Sequence, residues 1–273
     1  MSNLRLGKAP FVACLGLALL PAIASADDAS DLAKKLSNPV AALISVPFQV
    51  NYNQNIGPAE DGDSTTLNIQ PVIPISISED WNMISRTIVP LATQSDVFPG
   101  AGTQSGLGDI TQSLFFSPKA PTSNGLIWGA GPAILIPTGA DGISAKQWGL
   151  GPTLVVLKQS HGWTYGALAN QIWSVASVRG ESNTPGISSA FIQPFLSYTT
   201  PTAWTYGLNT ESTYNWKTSE WTVPLNFTVA KLTRIGSTPV SFTGGVRYYT
   251  TSPDNGAHGW GFRFVVTLLY PKH

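Results

Sequence analysis

The chain has 273 residues, no formal net charge and only 11% charged side chains, less than half the roughly 25% of an average soluble domain. Ten per cent aromatics exclude a disordered chain, zero net charge gives no support for nucleic-acid binding, and 26 Gly with 21 Pro argue against long helices. No run of 18 apolar residues lies beyond the N-terminus, so no ordinary membrane-spanning helix is expected.

The N-terminus reads as a secretory signal. Arg5 and Lys8 form a basic start, residues 9–22 are apolar, and Ala24-Ser25-Ala26 is a small-residue cleavage site. The mature chain is expected to begin near Asp27. Cys14, the one cysteine, falls inside the signal, and Phe11-Val12-Ala13 before it makes a poor lipoprotein site. The mature chain therefore has no disulfide or thiolate chemistry. Without Arg5 and Lys8 it holds 13 basic and 15 acidic side chains, a net of −2. Residues 27–40 form a short N-terminal segment. Ser30 to Leu36 suits two helical turns, with Ser30 as N-cap and Leu32 and Leu36 on one face. Pro39 ends it.

From residue 41 the apolar period changes to two. Val46, Phe48, Val50 and Tyr52 alternate with Ser45, Pro47, Gln49 and Asn51, and Leu67, Ile69, Ile73 and Ile75 with Asn68, Gln70 and Ser76. Later examples are Trp221, Val223, Leu225 and Phe227 against Thr222 and Asn226, and Trp260, Phe262, Phe264 and Val266 against Gly261 and Arg263. Continued along the chain, this reading predicts twelve strands: 41–53, 64–78, 82–94, 107–117, 126–137, 147–159, 163–175, 188–199, 203–215, 220–232, 239–251 and 259–270. Each is about long enough to cross a bilayer at a tilt. Long Gly-, Pro- and Asp-rich connections alternate with tight ones. An even strand count with such alternation is the signature of an outer-membrane barrel. The expected fold is all-β: an up-and-down antiparallel transmembrane β-barrel over 41–273, with a short helix or plug before it.

Tryptophan placement is an independent signal. Trp81, Trp128, Trp163 and Trp204 fall at predicted periplasmic strand ends. Trp148, Trp173, Trp216, Trp221 and Trp260 fall at the outer ends. Aromatic girdles at the two lipid–water interfaces require this, because the ring prefers the apolar edge and the indole N–H prefers water. Pro47, Pro71, Pro74, Pro90, Pro132, Pro152, Pro194 and Pro224 lie inside predicted strands, where proline cannot donate to the ladder. Bulges, kinks or breaks are expected there. Trp128-Gly-Ala-Gly-Pro132 and Trp148-Gly-Leu-Gly-Pro152 suit either a repeated bend or chance in a Gly- and Pro-rich chain.

Charges within strands are few. Arg86, Asp109, Glu211, Arg247 and Arg263 fall on the less apolar faces, assigned to the lumen with Gln49, Asn68, Gln193 and Asn226. An arginine facing lipid near the midplane costs roughly 2–4 kcal/mol; facing inward, Arg247 and Arg263 can pair with Asp109 or Glu211. The group suits a selective constriction or a structural salt-bridge network filling a narrow barrel. The long loops carry excess acid, densest at Glu60-Asp61-Gly62-Asp63, which suits cation attraction or calcium bridging to lipopolysaccharide, or solvated loops alone. That cluster lacks the full calcium-loop pattern.

Enzymatic signals are weak. His161 sits in a tight turn beside Ser160, and His258 in a loop at the opposite end. No nucleophile elbow, zinc spacing, phosphate loop or dinucleotide fingerprint occurs. No catalytic residue, metal or cofactor is expected.

The segments Gly106-Leu107-Gly108-Asp109, Ile136-Pro137-Thr138-Gly139 and Asp31-Leu32-Ala33-Lys34-Lys35-Leu36-Ser37-Asn38-Pro39, in that barrel pattern, resemble the bacterial family called MetA-pathway of phenol degradation. Its members are described as outer-membrane transporters. The resemblance implies an outer-membrane barrel linked to uptake of small organic compounds, and supplies no catalytic residues. The expected partners are outer-membrane lipids, lipopolysaccharide and a small solute. A non-conducting structural or surface barrel and a lipid-modifying enzyme are the alternatives.

Overall fold

The structure is a computed structural model that describes residues 23–178 and 185–270. The expected signal segment through residue 22, including Cys14, and His273 lie outside the described residues.

The chain opens with helix α1 (Ile23–Leu36) and continues as fifteen strand segments. These are β1 (Ile44–Ile56), β2 (Gly62–Ile69), β3 (Val72–Ser76), β4 (Trp81–Ser95), β5 (Thr103–Leu107), β6 (Ile110–Pro118), β7 (Leu126–Ile136) and β8 (Gln147–Ser160), followed by β9 (Trp163–Ser177), β10 (Ser188–Thr199), β11 (Trp204–Thr210), β12 (Ser212–Asn215), β13 (Glu220–Ile235), β14 (Thr238–Thr251) and β15 (Gly259–Tyr270). All the pairings are antiparallel, and β15 pairs with β1 from Ile44↔Tyr270 to Tyr52↔Phe262. The sheet is thus a closed barrel of twelve strands, with three of them in two pieces: β2 with β3, β5 with β6, and β11 with β12. Closure leaves no edge, and the alternating pattern puts one apolar face of every strand outward.

All twelve predicted strands are present, and two kinds of boundary differ. β1 begins at Ile44 rather than residue 41, because Val40 and Leu43 are buried where the chain crosses the helix end of the barrel. The predicted continuous strands 64–78, 107–117 and 203–215 are each interrupted, at residues 70–71, 108–109 and 211. Pro71 explains the first, because it has no N–H to donate. Gln70, Asp109 and Glu211 sit at the three interruptions.

The prolines at 132 and 152 mark a shared gap in the ladder. Pro132 and Pro152 stand opposite each other in the β7–β8 pair. On their outer sides the ladders skip: β6–β7 pairing jumps from Ser113↔Ala133 to Phe116↔Ala130, and β8–β9 from Leu150↔Trp173 to Thr153↔Asn170. The glycines before them are required there. A Cβ on Gly131 would lie 1.9 Å from the Leu114 carbonyl oxygen, and one on Gly151 would lie 1.7 Å from that of Gln171. Pro224 adjoins a register shift in β13.

The helix corrects the predicted N-cap. Its start at Ile23 precedes the expected turn at Ser30, since Ala24, Ala26 and Ala29 are strong helix formers. Ser30 is therefore inside the helix, 5% exposed, and its Oγ donates to the Thr200 carbonyl at 3.3 Å. Leu32 and Leu36 do share the packed face, against Leu43, Leu232 and Leu269. Gln159 Nε2 donates to the Lys34 carbonyl at 2.8 Å. The helix consequently lies across one end of the barrel.

Candidate functional site

Inner and outer faces separate along each strand. Phe227, Phe262 and Phe264 are about half exposed and point outward, whereas Asn226, Arg247 and Arg263 are buried. The inner face has two unlike walls. On the β4–β9 side, Ile84, Phe115, Val155, Leu157 and Leu168 pack into a buried apolar cluster that takes in Val40. A Cβ on Gly129 would meet Val40 Cγ1 at 3.2 Å, so that glycine makes room for the entering chain. On the β10–β15 and β1 side the inner residues are small or polar, among them Ser197, Gly207, Thr228, Ser241 and Thr243. There a cavity of about 310 Å³ remains, bounded at the helix end by Ala33 and Leu36 and along its walls by Gln49, Gln70, Gln193 and Asn209.

Above the cavity, toward the end away from the helix, a charged cluster links the inner faces of β11 to β15 and β1. Glu211, at the break between β11 and β12, is chelated by Arg263, whose Nη1 and Nη2 donate to Oε1 and Oε2 at 2.8 and 2.7 Å. Arg247 Nη2 donates to the same Oε2 at 2.5 Å. Amides complete the network. Arg247 Nε donates to Asn226 Oδ1 at 2.8 Å, and Asn226 Nδ2 to Asn209 Oδ1 at 2.9 Å. Arg263 Nε donates to Asn51 Oδ1 at 2.8 Å. Tyr249 OH and Arg247 Nη1 both donate to Asn53 Oδ1. A forked guanidinium suits such bidentate pairing, and the pairing offsets the cost of taking the charges out of water.

Asp109 is a correction. It pairs with neither arginine. Its Oδ1 accepts from Gly139 N at 3.0 Å and Ser144 Oγ at 2.6 Å, and its Oδ2 from Ala145 N at 2.8 Å. This fastens the 138–146 loop onto the inner face of β5, where a Cβ on Gly106 would stand 2.6 Å from Ala140 Cβ. Gln94 Nε2 reaches the Gly142 carbonyl from the same face. The Gly106–Asp109 and Ile136–Gly139 segments thus meet as one clasp at the far mouth. On that loop, the exposed Asp141 accepts from Lys146 at 2.7 Å, which holds its carboxyl below the usual carboxylate range.

Arg86 faces inward nearer the helix end. Its Nη2 donates to Gln70 Oε1 at 2.9 Å. Asn68 stands opposite Gln49, and Gln193 lines the cavity. Sequence reasoning missed Asn51, Asn53, Gln70, Asn209 and Tyr249 as members of this lining. They share the inward alternation of the charged residues, and that was the available signal.

The nine tryptophans lie in two belts. At the helix end, Trp81 packs edge-on to Trp128 at 5.8 Å, Trp163 lies 4.9 Å from Tyr198, and Lys231 Nζ sits 5.3 Å over Trp204. Toward the far end, Trp216 and Trp221 flank Tyr214, and Trp260 contacts Tyr248. Trp148 is the second residue of β8, and Trp173 lies in the last part of β9. Ser160 Oγ and His161 Nδ1 are 2.7 Å apart in the exposed β8–β9 turn, and His258 lies at the opposite end. Among the described residues no cluster of three His, Cys, Asp or Glu could hold a metal.

The architecture is that of outer-membrane β-barrels. It resembles the COG4313 outer membrane channel from Pseudomonas putida F1, with a TM-score of 0.66 at 13% identity over 84% of this chain and 96% of that one. Weaker likenesses include the NanC porin, at a TM-score of 0.47 and 8% identity over 84% and 100%. The outer membrane phospholipase of Salmonella typhi gives 0.46 at 8% identity over 83% and 91%. No protein-family model matches the chain, and a search of curated proteins finds no match.

Proposed function

We propose that this protein is an outer-membrane channel through which a small hydrophobic or aromatic solute passes passively, and that it belongs to the phenol-degradation transporter family its motifs resemble. The carrying observation is the free space along one wall of the lumen, between the helix and the arginine–glutamate cluster. The two tryptophan belts support a bilayer position, with rings at each lipid–water boundary and α1 on the periplasmic side after signal cleavage. Lipids and lipopolysaccharide are then its surroundings. The cluster acts as the selective narrowing, and the small-residue wall as the path past it. We read the protein as non-enzymatic. The adjacent Ser160 and His161 lie in an exposed turn, and His258 is at the other end of the barrel.

The paired cluster and the covering helix also favour a second reading, a non-conducting structural barrel. Liposome swelling separates the two. Purified protein should admit phenol-like solutes faster than sugars of similar size, and Thr243→Trp, which fills the cavity wall, should return swelling to that of protein-free liposomes. No swelling by wild type with any solute would sink the channel reading.

A further inference from the structure

We propose that the lumen binds small organic anions, carboxylates with an apolar body, at a site made by Arg86 and the surplus positive charge of the Arg247–Arg263–Glu211 cluster; this rests on the channel reading for how the ligand arrives. Three guanidinium groups lie within electrostatic range of the Glu211 carboxylate. Arg247 and Arg263 consume it with three short hydrogen bonds. The local balance is therefore +2. Asp109 cannot correct it, because both its oxygens are taken by the 138–146 loop.

Arg86 carries the argument. A guanidinium presents five N–H donors, and Arg86 uses one of them, on the neutral amide of Gln70. No ion pair includes Arg86 among the described residues. Charges withdrawn from bulk water are normally paired. A planar carboxylate would match the fork of Arg86 with two parallel bonds.

The body of the ligand follows from the neighbours. Gln70, which accepts from Arg86 Nη2, lines the cavity, and Arg86 stands behind it, so a ligand carboxylate would take the place of the Gln70 amide on the guanidinium. Pro47, Phe195 and Val265 line that same space. A cavity of about 310 Å³ is at the lower end of the range that ligand pockets occupy, a size suited to a single-ring acid. Those three apolar side chains favour that acid over acetate, and the charge favours it over a neutral ring.

The test is equilibrium dialysis of labelled benzoate, benzamide and acetate against the full barrel folded in detergent micelles. Benzoate should bind saturably, with benzamide and acetate at least about tenfold weaker, the scale of one charge-assisted contact. Arg86→Gln should weaken benzoate about tenfold and leave benzamide unchanged. Glu211→Gln, which raises the local charge, should tighten benzoate. Equal binding of benzoate and benzamide by wild type would overturn the proposal without any variant, and so would unchanged benzoate affinity in folded Arg86→Gln. Benzoate binding without liposome swelling would overturn passage and keep the anion site. Swelling with neutral solutes and no preference for benzoate would do the reverse.

Discussion

The two walls of the lumen solve the same problem in opposite ways. Both face inward from a closed twelve-stranded sheet. The β4–β9 wall fills its share of the interior with Ile84, Phe115, Val155, Leu157 and Leu168, all 2% exposed or less. The opposite wall uses mainly Gly, Ser, Thr, Asn and Gln, with a few apolar residues such as Phe195 and Val265, and leaves space. Barrels of about eight strands are filled by side chains, and those of sixteen or more hold a water channel. Twelve strands fall between, and here the compromise is lateral. One half of the barrel supplies a core, and the other half supplies the lumen. On the channel reading, stability and passage fall to different residues, and each can be perturbed separately.

The largest expected effect is at the cluster that spans the two roles. Glu211→Ala leaves Arg247 and Arg263 without their carboxylate and should lower unfolding free energy by about 3–5 kcal/mol, measured by urea unfolding in detergent. A loss under about 1 kcal/mol would mean that the arginines are well solvated, and would weaken the division between the walls. Next is Phe115→Ala on the filled wall, which should cost about 3 kcal/mol and leave uptake on the other side of the lumen unchanged or faster. Slower swelling in that variant would show that the walls are not separable. Smallest is Asp109→Asn at the mouth, which belongs to neither wall. Losing the charged acceptor should cost about 1–2 kcal/mol, visible mainly as faster amide exchange at Gly139 and Ala145. If exchange there stayed slow, the clasp would not depend on the carboxylate.

Much of this architecture was legible in the sequence because its grammar is local. A period of two identifies a strand and its faces from five or six residues, and all twelve strands could be placed that way. The inward direction of Arg247 and Arg263 follows from Trp260, Phe262 and Phe264 taking the opposite parity. What was not legible depends on the stagger of the barrel. Whether Arg263 meets Glu211 or Asp109 is set by how far strands slide past one another around the circumference, and no single strand encodes that. The three interruptions were hidden for a related reason: the residues at 108–109 and 211 leave the ladder to satisfy partners many residues away. The helix starts earlier than expected because Ala24-Ser25-Ala26 reads as a processing site, although the same alanines favour helix.

The break at 108–109 has a consequence for engineering. Across it the register with β4 slips by one residue, from Leu91↔Leu107 to Ile88↔Thr111, whereas β2 with β3 and β11 with β12 keep one register across theirs. The short segment β5 (Thr103–Leu107) therefore behaves as a detachable end of a longer stave. A peptide grafted into the loop it borders would disturb hydrogen bonding only as far as the break, and the lower barrel would keep its alignment. This segment is the natural place to display a foreign sequence on this scaffold.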